Sequence, residues 1–420
     1  MYLNKFFWQI LLAAVFAGLL AACGGGGGST SAPPVTPPPV LSNTLALSVD
    51  SGPLDEQGKS VDATNALYTT VTVCQPGTSN CLNIDHVLVD TGSSGLRLLS
   101  SLVAPLGLSP QTSAGLPLLN CVQFVDLSFM WGPVASADIT LGGKTASSVP
   151  IQIIGDPAYN ALSANCQSGT PMDTIATLGA KGILGVGLFL QDCGSSCASN
   201  ALNGRYFSCS TSACKRATGV TVALDKQLQN PVALFAQDNN GVLIDLPGVA
   251  SSSSPAGATA LSGSMIFGIG TQSNNQLSGA KLLSTDASGN ITTLLQGVPM
   301  PNSFIDSGSN GLFFNSSAIA ACSNANYSGF YCPSGLTTLT ATLSVTGAGA
   351  AGVQATVPFA VDSAATLFAN AGWSVYPTLA GPSGDWSSFD WGLPFFFGKR
   401  VFFGFEGRSS TLGSGSYYAF

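Results

Sequence analysis

The 420-residue chain is 45% apolar and 8% charged, with 13 Lys plus Arg against 20 Asp plus Glu and a formal net charge of −7. An acidic, charge-poor surface does not suit a phosphate backbone, so no nucleic-acid partner is expected; the apolar content argues equally against disorder. One histidine, His86, leaves no Ser-His-Asp or Cys-His pair and no two-histidine zinc motif, so carboxylates are the available acid–base groups.

At the start, Lys5 precedes an apolar stretch over residues 6–22 that closes in Leu20, Ala21 and Ala22 ahead of Cys23. A weakly basic start, an apolar run and small closing residues make a secretory signal. The run is at the short end for a membrane-spanning helix, which needs about 20 residues. With Cys23 at the cleavage point, residues 1–22 resemble a bacterial lipoprotein signal. That resemblance implies a lipidated Cys23, a membrane anchor and a place in the cell envelope. Residues 23–43 follow as a Gly-rich, then Pro-rich tether, flexible and then extended. Gly24 is not acidic, and similarity to sorted lipoproteins then implies the outer membrane.

The remaining body is too long for one ordinary core, so two lobes are expected, over residues 44–240 and 241–420. Setting Cys23 apart from the 11 cysteines leaves ten, an even number for an exported chain in an oxidising compartment. The disulfide candidates are Cys74, Cys81, Cys121, Cys166, Cys193, Cys197, Cys209, Cys214, Cys322 and Cys332. Cys74 and Cys81 bracket a hairpin turn, and Cys322 and Cys332 bracket a short loop. Cys193, Cys197, Cys209 and Cys214 crowd one segment whose pairing stays open. Metal binding is the rival reading there, but the segment has no neighbouring histidine, and neither metal nor cofactor is expected.

Short runs of alternating apolar and polar residues, at 66–73, 139–141, 149–154 and 339–345, are separated by Gly, Pro, Ser and Asn. This is the pattern of an all-β chain with many tight turns. His86 lies in one such run and is expected to be a strand histidine with a satisfied hydrogen bond. Short helices are expected at 316–322 and 362–369, an exposed loop at 251–258, and buried strand in the aromatic run 395–403.

Two segments share one plan. Residues 87–96 read Val-Leu-Val-Asp-Thr-Gly-Ser-Ser-Gly-Leu, and residues 303–312 read Ser-Phe-Ile-Asp-Ser-Gly-Ser-Asn-Gly-Leu. Each is an apolar strand followed by Asp, a hydroxyl residue, Gly and Ser. Two carboxyls held together, Asp90 and Asp306, would share one proton, so that one serves as base and the other as acid. Gly92 and Gly308 permit close backbone approach. Ser93 and Ser309 can donate to the carboxylates, and Thr91 and Ser307 can bond across the junction.

With these turns, more of the chain resembles the pepsin-like aspartic proteases, in a divergent bacterial branch. Residues 68–73 with Pro76-Gly77 look like the family's first hairpin. Trp131-Gly132 ahead of residues 137–143 resembles the flap that covers substrate, with Trp131 where the family usually carries tyrosine. Residues 181–187 look like the element packed beneath the first aspartate. Residues 230–235 and 263–270 look like strands leading between lobes, and residues 391–397 and 401–406 like the closing strands under the second. The resemblance spans roughly residues 45–410. It implies a bilobal pepsin-like double β-barrel with pseudo-twofold symmetry and a cleft between lobes. It also implies an endopeptidase whose polypeptide substrate lies in that cleft, with Asp90 and Asp306 catalytic and Trp131 and Gly132 against substrate. The alternative is a non-catalytic binding or envelope-structural protein on the same scaffold, since fold alone does not establish function.

Overall fold

Alternating apolar residues assemble the body of the chain into twisted, mostly antiparallel sheets. In the computed structural model the described residues are 43–420, apart from 125–126, 161, 164, 167–168, 210–215, 251–252, 346–352 and 412. The expected signal segment, Cys23, the tether up to residue 42 and Cys214 lie outside them. Asn43, expected as the end of the tether, belongs to the body instead: it is 3% exposed and its amide donates to the Phe267 carbonyl at 3.1 Å.

The fold is all-β. Among the described residues, the larger sheet is 16-stranded and the second 7-stranded. The larger one runs through the first half of the chain and continues into the second. Strand Thr44–Val49 pairs with Leu261–Phe267, which pairs with Gly241–Asp245 and so leads to Arg400–Gly404 and Tyr417–Ala419. The expected boundary at residue 240 therefore falls inside a continuous sheet. The second sheet holds Ile291–Leu295, Val298–Ile305, Leu312–Phe314, Thr337–Ser344, Gln354–Val361, Ala380–Gly381 and Phe389–Trp391. The largest core cluster draws on both sheets, from Leu45 to Tyr418. Around Phe314 the core is aromatic: Phe389 stacks on Phe314 at 4.6 Å and on Trp391 at 3.9 Å between ring centroids. The polar edge of Trp391 is satisfied by Thr293, which accepts from Nε1 at 3.0 Å.

The same local topology occurs twice. Strand Cys81–Asp90 runs parallel to Gly182–Val186, and strand Ser94–Leu99, after the turn, runs antiparallel to it. Strand Val298–Ile305 runs parallel to Phe389–Trp391, and Leu312–Phe314 antiparallel to it. Residues 181–187, read from sequence as an element beneath the first aspartate, supply the partner strand of that turn. Matching backbone bonds close both units: Gly187 N–H to the Ser93 carbonyl at 2.8 Å, and Leu393 N–H to the Ser309 carbonyl at 2.7 Å.

Among the described residues, disulfides join Cys74 to Cys81, Cys121 to Cys166, Cys193 to Cys197, and Cys322 to Cys332. Cys209 is disulfide-bonded as well. The expected helix at 362–369 is present as Ala364–Phe368. The one at 316–322 is not. Its last residue is tied by the Cys322–Cys332 bridge, and Ala321 pairs with Tyr331 as an isolated antiparallel bridge, which extended chain can make and helix cannot. Residues 231–234, expected as strand, form a 3-10 turn, because Pro231 has no N–H for a ladder and Asn230 caps the Val232 N–H at 3.1 Å. The aromatic run begins with a second such turn, Leu393–Phe395, before strand Arg400–Gly404, and is buried in both parts. Among the described residues no helix is long and apolar enough to cross a membrane.

Candidate functional site

Asp90 closes strand Cys81–Asp90 and Asp306 follows strand Val298–Ile305, and each enters a turn that its own side chain helps to close. Asp90 Oδ1 accepts from the Gly92 N–H at 2.8 Å, and Asp306 Oδ1 accepts from the Gly308 N–H at 2.8 Å. Such Asx turns arise because a short carboxylate reaches the backbone two residues on. The outer oxygens take hydroxyls: Ser93 Oγ donates to Asp90 Oδ2 at 2.5 Å, and Ser309 Oγ to Asp306 Oδ2 at 3.1 Å.

The chain folds the two turns against each other. The Gly92 N–H also donates to Asp306 Oδ1 at 3.0 Å, so one donor serves both carboxyls. The Asp90 carboxyl raises that of Asp306 both by its charge and as a hydrogen-bonding neighbour. A Cβ on Gly92 would lie 2.8 Å from the Asp306 carboxyl, and one on Gly308 would lie 2.8 Å from Asp90 Oδ1. Real side chains do not approach so closely, and glycine at both positions is what lets the carboxyls meet.

Thr91 and Ser307 lock the junction from below. Ser307 Oγ donates to the Val89 carbonyl at 2.7 Å and accepts from the Thr91 N–H at 3.2 Å. In return, Thr91 Oγ1 accepts from the Ser307 N–H at 2.8 Å and reaches the Ile305 carbonyl at 3.4 Å. Thr91 is 3% and Ser307 0% exposed, so these bonds form without competing water.

The electrostatics of the two turns differ. Burial, then the negative charge of Asp90, then that of Asp390, push the Asp306 carboxyl well above the usual carboxylate range, with the Gly308 N–H opposing. On the other side, the guanidinium of Arg97, 1% exposed, lies within electrostatic reach of Asp90. Arg97 pairs with Asp192 at 3.3 Å, and Asp192 also takes the Tyr206 hydroxyl at 2.6 Å and the Asn120 amide at 3.1 Å.

Asp390, Arg97 and Asp192 were not anticipated from the sequence. Asp390 lies just ahead of the segments read as closing strands; a lone acid between Phe389 and Trp391 was the available signal. Arg97, inside Leu96-Arg97-Leu98, carried the same kind of signal.

Trp131 and Gly132 lie elsewhere than expected. Trp131 is 7% exposed in strand Phe129–Leu141, paired with Cys121, its ring tilted against that of Phe207 at 5.3 Å, and its Nε1 donates to the Tyr159 carbonyl at 2.7 Å. A Cβ on Gly132 would lie 1.8 Å from the Ile153 carbonyl oxygen. Both residues are interior. Strand Phe129–Leu141 does form a hairpin with Leu116–Gln123, and beyond their paired ends the Phe124 N–H donates to the Ser128 carbonyl at 2.9 Å. The reason is register: pairing Gln123 with Phe129 puts the turn before Trp131. His86 is a strand residue whose Nδ1 bonds Asp85 at 2.7 Å. Among the described residues no cluster of His, Cys, Asp or Glu could hold a metal ion.

Fold and site together define an all-β, disulfide-bonded protein with two facing Asp-hydroxyl-Gly-Ser turns. The chain belongs to the family described as protein of unknown function, DUF3443, whose profile matches residues 39–420. Comparison with curated proteins found no match.

Proposed function

We propose that the chain is an aspartic-type endopeptidase of pepsin-like, bilobal double-barrel build. In this reading Asp90 and Asp306 are the catalytic pair, and an extended polypeptide is the substrate in a cleft between pseudo-twofold-related lobes. What carries the reading is the shared Gly92 N–H, which places Asp90 Oδ1 and Asp306 Oδ1 on one donor. Asp90 takes a proton from a bound water, whose oxygen bonds to the peptide carbonyl carbon, while Asp306 gives its proton to the carbonyl oxygen. The tetrahedral species then breaks its C–N bond. Asp90 returns a proton to the leaving nitrogen, and Asp306 recovers one from the hydroxyl. Localisation follows from the N-terminal residues: a lipid on Cys23 would hold the enzyme at the cell envelope, in the outer membrane.

The experiment is proteolysis of denatured protein from about pH 3 to 7, the range in which such pairs titrate, by the wild type, Asp90→Asn and Asp306→Asn. Cleavage by the wild type and loss in both variants is the expected result. Equal cleavage by either variant overturns the mechanism.

One observation favours a non-catalytic binding protein instead. The hairpin carrying Trp131 is fastened by the Cys121–Cys166 bridge, and Phe129 is bonded through its N–H to Thr170 at 3.0 Å and through its carbonyl to Met172 at 2.8 Å. A fastened cover suits retention of a ligand better than turnover. Binding of unfolded polypeptide without cleavage at any pH, unchanged in the double Asn variant, would decide for that reading.

A further inference from the structure

The two turns are alike in topology, yet the strand beneath each presents a different side chain. Under the first, Ile183 is paired with Leu88 and Arg97. Under the second, the residue at the same place in the pairing is Asp390, between Phe304 and Phe313. Ile183 is 4% exposed and packs among Leu99, Val122 and Ile154. An acid in that position costs desolvation unless it is paired or protonated. Asp390 Oδ1 is buried with no hydrogen-bond partner among the described residues. The Ser309 hydroxyl, which donates to Asp306 Oδ2 at 3.1 Å, also favours the charged form of the Asp390 carboxyl as a neighbouring donor. A serine has one proton to donate, so Asp390 and Asp306 compete for it.

We propose that Asp390 is a third carboxyl of this site, a positioning residue that acts through Ser309 to keep the shared proton of the pair on Asp306. The inference rests on the reading of Asp90 and Asp306 as one proton-sharing pair. Two effects act in the same direction. When Ser309 donates to Asp390, Asp306 loses a donor that favours its charged form. When Asp390 ionises, its negative charge opposes a second charge on Asp306. On the opposite flank, Arg97 supplies positive charge near Asp90 and none lies at the matching Phe313. The neighbours therefore differ across the pair: Arg97, ion-paired with Asp192, acts on Asp90, whereas the acid Asp390 acts on both Asp306 and Asp90. Burial raises the Asp390 carboxyl to about 7, so its charge appears as the pH rises toward neutrality. The titratable groups facing this acid are Asp306 and Asp90 across the turn and Tyr418 from the C-terminal strand. Tyr418 donates to the Gly289 carbonyl at 3.0 Å and is held protonated by burial. The role assigned to Asp390 is thus to extend the singly protonated state of the pair upward in pH.

The test is carboxyl-carbon NMR of the full chain labelled at aspartate, following the Asp306 titration in the wild type, Asp390→Asn and Asp390→Ile. Asp390→Asn removes the charge. Asp390→Ile installs the residue of the first turn and also frees Ser309 for Asp306. The Asp306 midpoint is expected to fall by about one pH unit in Asp390→Asn, a tenfold change in proton affinity, and at least as far in Asp390→Ile. If the wild type cleaves polypeptide, the alkaline limb of its pH–rate profile falls in step. An Asp306 midpoint that stays in place or rises in both variants overturns the inference. A wild type that cleaves nothing, with the midpoint shifted as expected, overturns the endopeptidase reading and leaves the inference standing.

Discussion

Removing the Ser307 hydroxyl should unfasten the two turns from each other at a cost that can be worked from the bonds it makes. In Ser307→Ala the Val89 carbonyl loses a donor at 2.7 Å and the Thr91 N–H loses an acceptor at 3.2 Å. Both sit in a junction whose residues are at most 3% exposed, so water does not replace the lost partner. Each buried group left without a partner costs about 1–3 kcal/mol, so Ser307→Ala should cost roughly 2–6 kcal/mol. Thr91→Val keeps the shape and removes one short bond, from the Ser307 N–H at 2.8 Å, and one long one, to the Ile305 carbonyl at 3.4 Å. Its expected cost is about 1–3 kcal/mol. The two hydroxyls brace the same junction. Once one is gone the turns can part and admit water, and the second loss then costs less. The double variant should therefore fall short of the sum by about 1 kcal/mol or more. Urea unfolding of the four proteins, followed by fluorescence and by circular dichroism, measures this. Additivity within about 0.5 kcal/mol, or a cost below about 1 kcal/mol for Ser307→Ala, would refute the argument that these hydroxyls act as one fastening.

Two further outcomes follow from buried features near the site. Arg97→Met leaves Asp192, whose side chain is 2% exposed, without its cation, and should destabilise the protein by about 3–5 kcal/mol. Part should return in Arg97→Met/Asp192→Asn; a single-variant loss under about 1 kcal/mol in the same unfolding experiment would refute it. Removing the Cys121–Cys166 bridge opens a separation of 45 residues, against 7 for Cys74–Cys81. By loop entropy the losses should be about 4 and about 2 kcal/mol, so the paired alanine variants should unfold in that order by midpoint, and the reverse order would count against loop entropy as the cause.

How far the sequence could be read depended on the range of the interactions involved. Strands such as Leu67–Cys74 and Thr337–Ser344 were legible because alternation is a local property of the chain. The turns at Asp90 and Asp306 were legible because Asp, Gly and Ser close them with bonds two or three residues long. The helix expected at 316–322 failed because a disulfide and a bridge to Tyr331 hold the end of that segment extended. Trp131 failed for a similar reason. Its position relative to the hairpin tip depends on the register with Leu116–Gln123, and a shift of a few residues is invisible in composition.

By itself, then, the sequence determined an all-β chain, a set of cysteines able to pair, and two turns of one chemical design. Tertiary structure decided that those turns face each other on a common N–H, that Trp131 is interior, and that Asp390 and Arg97 come within electrostatic reach of the pair. The physical reason is distance along the chain. Asp90 and Asp306, 216 residues apart in the sequence, and Asp390 beyond them become neighbours only when the strands that carry them are packed, and charge acts through that proximity in space.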